Sequence, residues 1–244
     1  MANKATDFSL EVQAQRAYDY EEIKKIMSKR AYLQSTNRRA EELDTLWTKE
    51  NQKTASYGRN WGYYVGLDKI RAYYVDGNPF GAAGTAICHP FTTHKINIAD
   101  DGKTAQVTWY SIGYEIVQTA DGPKGYWDNQ RCGCDLILEE EGWKIWHYFA
   151  GTDFCVEPGY KYADLNVFEH TPVEALVKAE FGTPTVEMEA YTCDYNYYMY
   201  PTITREHSTF ADTVSNGPEG NPLFTGFWQP HTGNWIPHSI VVED

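Results

Sequence analysis

The chain has 244 residues, a formal net charge of −13, and 19 Tyr and 8 Trp. That length suits one large domain or one ordinary domain with an extension. The acidic balance excludes nucleic acid and anionic membrane surfaces as partners, because both demand clustered Lys and Arg. No apolar run approaches the roughly 20 residues of a membrane span. The first residues carry no apolar leader, so the expectation is a cytoplasmic protein. Five Cys without a framework spacing read as reduced thiols. Cys132 and Cys134 share a strand face and read as small apolar fillers rather than metal ligands.

Residues 8–34 predict a helix, with Leu10, Ala14, Ala17, Ile23, Ile26, Met27 and Leu33 at helical spacing. The sequence "STN" at 35–37 breaks it and is placed to cap a second helix, "RRAEELDTLW". "TASYG" and "YYVG" predict two short strands around the turn "RNWG". "LDKIRAYYV" predicts a third helix closed by Asp76-Gly77. The loop "GNPFGAAGTA" is glycine-rich but lacks the Lys-Ser/Thr of a phosphate-binding loop.

From 89 onward the pattern changes to four long strands: His89–Ala99, Thr104–Val117, Trp127–Leu138 and Trp143–Phe154. "ADDGK" and "EEEG" are tight turns, and "QTADGPKG" a longer hairpin loop. Helices followed by an antiparallel meander predict an α+β fold, with N-terminal helices packed on one face of a curved antiparallel sheet. Residues 158–244 differ again. "TPVEALVKAEFG" predicts one short helix, and the remainder is rich in Tyr, Pro, Gly and Asn. The expected organisation is therefore a domain over 1–157 and an aromatic-rich extension over 158–244, serving as a lid or as an arm at a subunit interface.

The stretches "IKKIMSKRAY", "TASYG", "HPFTTHKINI", "TAQVTWY" and "GWKI" occur in an order and spacing that resembles the SnoaL-like branch of the nuclear transport factor 2-like superfamily. This branch includes bile acid 7α-dehydratase and scytalone dehydratase, and the resemblance spans about residues 20–155. It implies a cone-shaped half-barrel enclosing a pocket, used for eliminations and isomerisations without metal or redox cofactor. By the same resemblance His89 falls at the catalytic histidine, Tyr57 at a pocket tyrosine, and Asp135 at an acidic position on the third long strand. Three positions depart from the pattern. Arg30 stands where the dehydratases have a tyrosine late in the first helix, and Tyr32 lies about 200° further round. Gly113 stands where the bile acid enzyme has an aspartate, with Glu115 two positions on. No arginine stands at its late strand position, near Thr152 and Asp153.

The residues themselves leave alternatives. Strand alternation sends His89 and His94 to opposite faces, which disfavours a shared metal. Histidine near its ordinary pKa of 6.5 suits acid–base work, and His89 adjoins the irregularity at Pro90. His94 alternates with Ile96 and Ile98, and either histidine could instead be structural. His147 alternates with Trp143, Ile145 and Phe149 and is expected to line the pocket or bond a buried partner. Tyr57 could polarise a substrate oxygen, and Asp135 could orient an imidazole. Tyr32, Arg30 and Trp109 complete the expected substrate-binding set. No nucleophile elbow is present, and Cys88 and His89, being adjacent, face opposite ways.

The expected activity is a cofactor-independent lyase acting on an aromatic or polycyclic small molecule, by dehydration or by a deformylating retro-aldol step. A ketosteroid-isomerase-like proton shift is the alternative within enzymes. A non-catalytic small-molecule or sugar binder, or an assembly module, is the alternative outside them. The expected quaternary state is a homo-oligomer.

Overall fold

In the computed structural model of the chain, residues 9–159, 185–187, 201, 203–220, 227–229 and 234–236 are described. Helix α1 spans Leu10–Ser35 and starts where the Ser9 hydroxyl accepts from the Val12 N–H at 3.4 Å. It buries Ile23, Met27, Arg30 and Leu33, which recur at three- and four-residue spacing along one side. It ends at Ser35 with Thr36 as its cap, and Asn37 follows at a φ of 56°, outside helical space. Helix α2, Arg39–Leu46, begins at Arg38 without a side-chain cap, so "STN" ends the first helix and does not cap the second. The predicted third helix is a single α turn, α3, Leu67–Ile70, that widens into a π-helical turn over Arg71–Asp76.

Strands β1 (Ser56–Arg59) and β2 (Gly62–Val65) form the expected hairpin. The predicted strand from His89 is in fact two. Strand β3 covers Ala86–Cys88 and β4 covers Thr92–Ile98. Both pair with β5, Thr104–Thr119, β4 along its first half and β3 near its end. Strands β6 (Gly122–Glu139) and β7 (Gly142–Val156) complete the meander. The longer loop read in "QTADGPKG" is a two-residue turn, closed by Gly122 at a φ of 102°.

The main sheet has the order β3-β5-β6-β7-β1-β2-β8, with β4 on the same edge of β5 as β3, and with β8 at Val186–Glu187. It is antiparallel except where β1 runs parallel to β7. The fold is α+β, a curved and unclosed sheet of eight strands with the helices against its concave face. A separate backbone hairpin joins β9 (Phe227–Gln229) to β10 (Asn234–Ile236). The predicted helix "TPVEALVKAEFG" lies outside the described residues. Among those residues, no helix is long and apolar enough to cross a membrane.

The core lies between α1, α2 and the concave face, built from Ile23, Met27, Leu43, Trp47, Val107, Leu136 and Ile145. Its centre is aromatic. Tyr57 stacks on Tyr74 at 4.9 Å and on Tyr148 at 5.0 Å, and Tyr64 stacks on Tyr73 at 4.0 Å. Arg30 is buried here but balanced: its Nε lies 3.3 Å from Glu42 Oε1, and its guanidinium lies over the Tyr148 ring at 3.9 Å. Glu42 also accepts from the Tyr74 hydroxyl at 2.7 Å. Removing either ion alone would strand the other, at a cost of about 3–5 kcal/mol.

The convex face carries chain from beyond the meander. Asp135 is fully buried there and accepts from the Asn216 backbone N–H and side-chain amide, both at 2.7 Å, from Gln106 at 2.9 Å and from the Ser215 hydroxyl at 3.2 Å. Residues 203–220 are thereby fastened to the outside of the sheet.

Candidate active site

The break between β3 and β4 positions the site. His89 follows the last residue of β3, and Pro90 carries the chain away from the sheet. Released from strand alternation, the His89 ring turns inward and is 5 % exposed. Its Nε2 stands 3.4 Å from Oε1 of Glu115 on β5 and 3.6 Å from Oδ1 of Asp128 on β6. Among the described residues, neither His89 Nε2 nor Asp128 Oδ1 has a hydrogen-bond partner. Gly113, opposite Asp128 on the neighbouring strand, makes the approach possible. A Cβ at Gly113 would collide with the Cys88 carbonyl oxygen and stand 2.8 Å from the His89 ring. Glycine at 113 is thus required by the way His89 packs.

His89, Glu115, Tyr57, Tyr73, Arg39 and Arg59 are among the residues lining one cavity of about 30 Å³, which the Gly77–Phe80 segment rims. That volume admits one or two waters or a carboxylate-sized group. Burial holds the His89 imidazole well below its ordinary pKa, and the positive charges of Arg59, Arg30 and Arg39 push the same way. The ring is therefore neutral at pH 7. Burial raises the Glu115 carboxyl, against the pull of Arg59 and Arg39. Asp128 is pushed well up by burial and by the charge of Glu115. Two carboxyls so placed cannot both ionise easily, so the pair retains one proton. Burial works against the Arg59 guanidinium, but Tyr73, Tyr57, Glu115 and Asp128 outweigh it and keep Arg59 charged. The arrangement can accept a proton at a neutral imidazole and return one from an adjacent carboxylic acid.

His89, Glu115 and Asp128 also present three ligand atoms within 4.8 Å of one another. Strand parity between His89 and His94 could not reveal this cluster, because its members come from three different strand segments. A cation there would require both carboxyls to ionise beside Arg59.

Other expected site residues fall elsewhere. Asp135 lies on the convex face, because the even-numbered members of β6 from Gln130 to Leu136 face inward and Asp135 does not. It fastens residues 203–220 and orients no imidazole in the cavity. His147 is also on the convex face, sharing a hydrogen bond with Ser56 Oγ at 2.9 Å and standing 3.8 Å from Glu219. A bulge at Trp146 is the reason: Ile145 pairs with Leu136, but His147 pairs with Asp135. Tyr32 is 73 % exposed on α1. His94 is half-buried against Phe91 at 4.6 Å, on the side of the sheet that Ile96 and Ile98 face, and lies outside the cavity. Trp109 packs in the core against Tyr148 and Phe91. Arg30 is the partner of Glu42 and does not line the cavity. Of the expected set, His89 and Tyr57 meet in the cavity.

Glu115, Asp128, Arg39 and Arg59 were not singled out by sequence. Glu115 had a signal, being two residues beyond Gly113, which stands where the bile acid enzyme has an aspartate. Asp128 shares its face with Gln130 and with the core residues Cys132, Cys134 and Leu136, and a carboxyl on that inner face is a legible anomaly.

The SnoaL-like domain profile matches residues 15–148. Among solved structures, the chain is similar to an NTF2-like protein with a cystatin-like fold from Novosphingobium aromaticivorans. Identity there is 16 %, over 65 % of this chain and 96 % of that one, with a TM-score of 0.46. A nuclear transport factor 2-like superfamily protein from Salmonella enterica matches at 14 % identity, over 60 % of this chain and 99 % of that one, with a TM-score of 0.47. A protein from Novosphingobium aromaticivorans provisionally named scytalone dehydratase matches at 12 %, over 61 % and 93 %, with a TM-score of 0.47. No curated protein matches the chain. With more than half of its length matched by the profile, the chain belongs to the SnoaL-like domain family.

Proposed function

We propose that the protein is a lyase that eliminates water, or formaldehyde in a retro-aldol step, from an aromatic small molecule by acid–base chemistry alone. The observation that carries this reading is the placement of neutral His89 against the Glu115–Asp128 pair beside one cavity. In a dehydration, His89 takes the proton from carbon. The electron pair forms the new double bond as the carbon–oxygen bond breaks. The protonated member of the carboxyl pair gives its proton to the departing hydroxyl, which leaves as water. Tyr57, on the cavity wall, is placed to hydrogen-bond the oxygen that gains charge. A ring-sized substrate would have to displace Phe80 and the loop that carries it, since the cavity as it stands admits only one end of such a molecule.

A proton-shift isomerase is favoured by one specific observation. The three bases lie close enough for a proton to pass from one to another without a leaving group. The experiment that tests the first reading follows alkene absorbance and trapped formaldehyde across a panel of aryl β-hydroxy carbonyl compounds, with wild type and His89→Gln. Turnover lost in the variant supports it. Turnover of that panel at equal rates by both proteins overturns it.

A further inference from the structure

Buried Arg30 has a carboxylate at salt-bridge distance, that of Glu42. Arg39 and Arg59 have none so close, although Glu115 and Asp128 still favour the charge of Arg59. The two arginines are 6 % and 7 % exposed and form no ion pair among the described residues. Each makes one long side-chain bond: Arg39 Nη1 donates to the Tyr74 carbonyl at 3.3 Å, and Arg59 Nη2 to Thr152 Oγ1 at 3.3 Å. The Nε of each is buried without a hydrogen-bond partner among the described residues. Aromatic faces hold both guanidinium groups in place. Arg39 lies over Tyr74 at 4.7 Å and Phe80 at 5.4 Å, and Arg59 over Trp61 at 5.2 Å. Both line the cavity that contains His89 and Glu115. A charged donor buried with unmade hydrogen bonds is costly unless a ligand completes it.

We propose that Arg39 and Arg59 clamp a carboxylate of the substrate, so that the compounds turned over are aryl carboxylic acids with a leaving group β to the acid. The proposal rests on reading this cavity as the substrate site. The cavity volume of about 30 Å³ matches a carboxylate rather than a ring. Guanidinium groups favour such planar anions because their N–H bonds form a fixed fork. The clamp also serves the chemistry. When His89 removes the proton α to the acid, the electron pair moves into the carboxylate, and the two guanidinium groups balance the added charge. The pair then returns to form the double bond as the β-hydroxyl leaves with the proton from Glu115 or Asp128. The product is an α,β-unsaturated acid and water.

Calorimetry on the full chain with benzoate and benzamide tests this, because the two probes match in shape and differ in charge. Benzoate is expected to bind at least about tenfold more tightly. Arg39→Gln and Arg59→Gln should each erase that preference, and Arg59→Lys should keep part of it. His89→Gln should keep it whole while losing turnover, so a failure of the base and a failure of the clamp give different results. Equal binding of the two probes, binding of neither at millimolar concentration, or a preference that survives both Gln substitutions would overturn the proposal. If a Gln variant does not fold, the wild-type comparison still decides.

Discussion

Nε2 of His89 stands 3.6 Å from Oδ1 of Asp128, and neither atom has a hydrogen-bond partner among the described residues. The two groups compete for one proton in a buried space, which ties the protonation of the base to that of its neighbour. Replacing His89 by Gln should lower kcat by about 10²- to 10⁴-fold, the usual worth of a general base. Asp128→Asn removes a proton reservoir but leaves the base, and should cost less. Single-turnover rates for the two variants check this ordering, and an Asn variant slower than the Gln variant would reverse the assignment.

The pH profile follows from the same burial. Activity needs neutral His89, whose pKa is held well below 6.5, so the acidic limb should lie below histidine's ordinary range. Activity also needs the proton retained by the carboxyl pair, whose members are both raised, so the alkaline limb should lie above the ordinary carboxylate range. A plot of kcat/KM against pH should be a bell, and Asp128→Asn should move its alkaline side. An acidic limb at or above 6.5 would count against His89 as the base.

Gly113→Ala should damage the site without touching a functional side chain. The new methyl group would drive into the Cys88 carbonyl and the His89 ring, and strand β3 would have to yield. The expected destabilisation is about 1–3 kcal/mol, with turnover falling further than the loss of folded protein explains. Denaturant midpoints read beside kcat separate the two effects.

Chelation should leave turnover unchanged. A divalent ion among His89, Glu115 and Asp128 would need both buried carboxyls ionised and would face Arg59. Loss of activity after dialysis against a chelator, restored by one divalent ion, would reverse this expectation.

Truncation after Pro158 should give a protein that aggregates or changes its state of association. It would remove Asn216 and Ser215 and leave Asp135 on the convex face without three of its four donated hydrogen bonds. Asp135→Ala is the milder test. It should lower the melting temperature while leaving kcat near wild type, because Asp135 and the cavity lie on opposite faces. A truncated chain with unchanged mass in solution, melting temperature and kinetics would make the extension a passive tail.

The element order was legible because periodicity in α1 and alternation in β5 and β6 extend over many residues, and no single irregularity outweighs them. Tyr57 was placed by its strand, and His89 by the break that Pro90 announces. What sequence could not supply was the frame of each strand after an interruption. The predicted strand from His89 is cut before Thr92, so parity with His94 had no meaning. The bulge at Trp146 sent His147 outward, and Asp135 followed the outer face with it. Arg39 and Arg59 carried no signal because an arginine near a helix start or a strand end ordinarily reaches solvent.

The bulge at Trp146 also works as a frameshift within one strand. Upstream of it Ile145 points into the core; downstream, Tyr148 does, three residues later and not two or four. Were β7 to pair with β6 through Trp146 without the bulge, His147 would enter the aromatic stack around Tyr57, and the Tyr148 ring would leave Arg30 uncovered. Deleting Trp146 would instead leave Ile145, His147 and Tyr148 on the faces they now occupy, so the strand tolerates the extra residue because the bulge absorbs it.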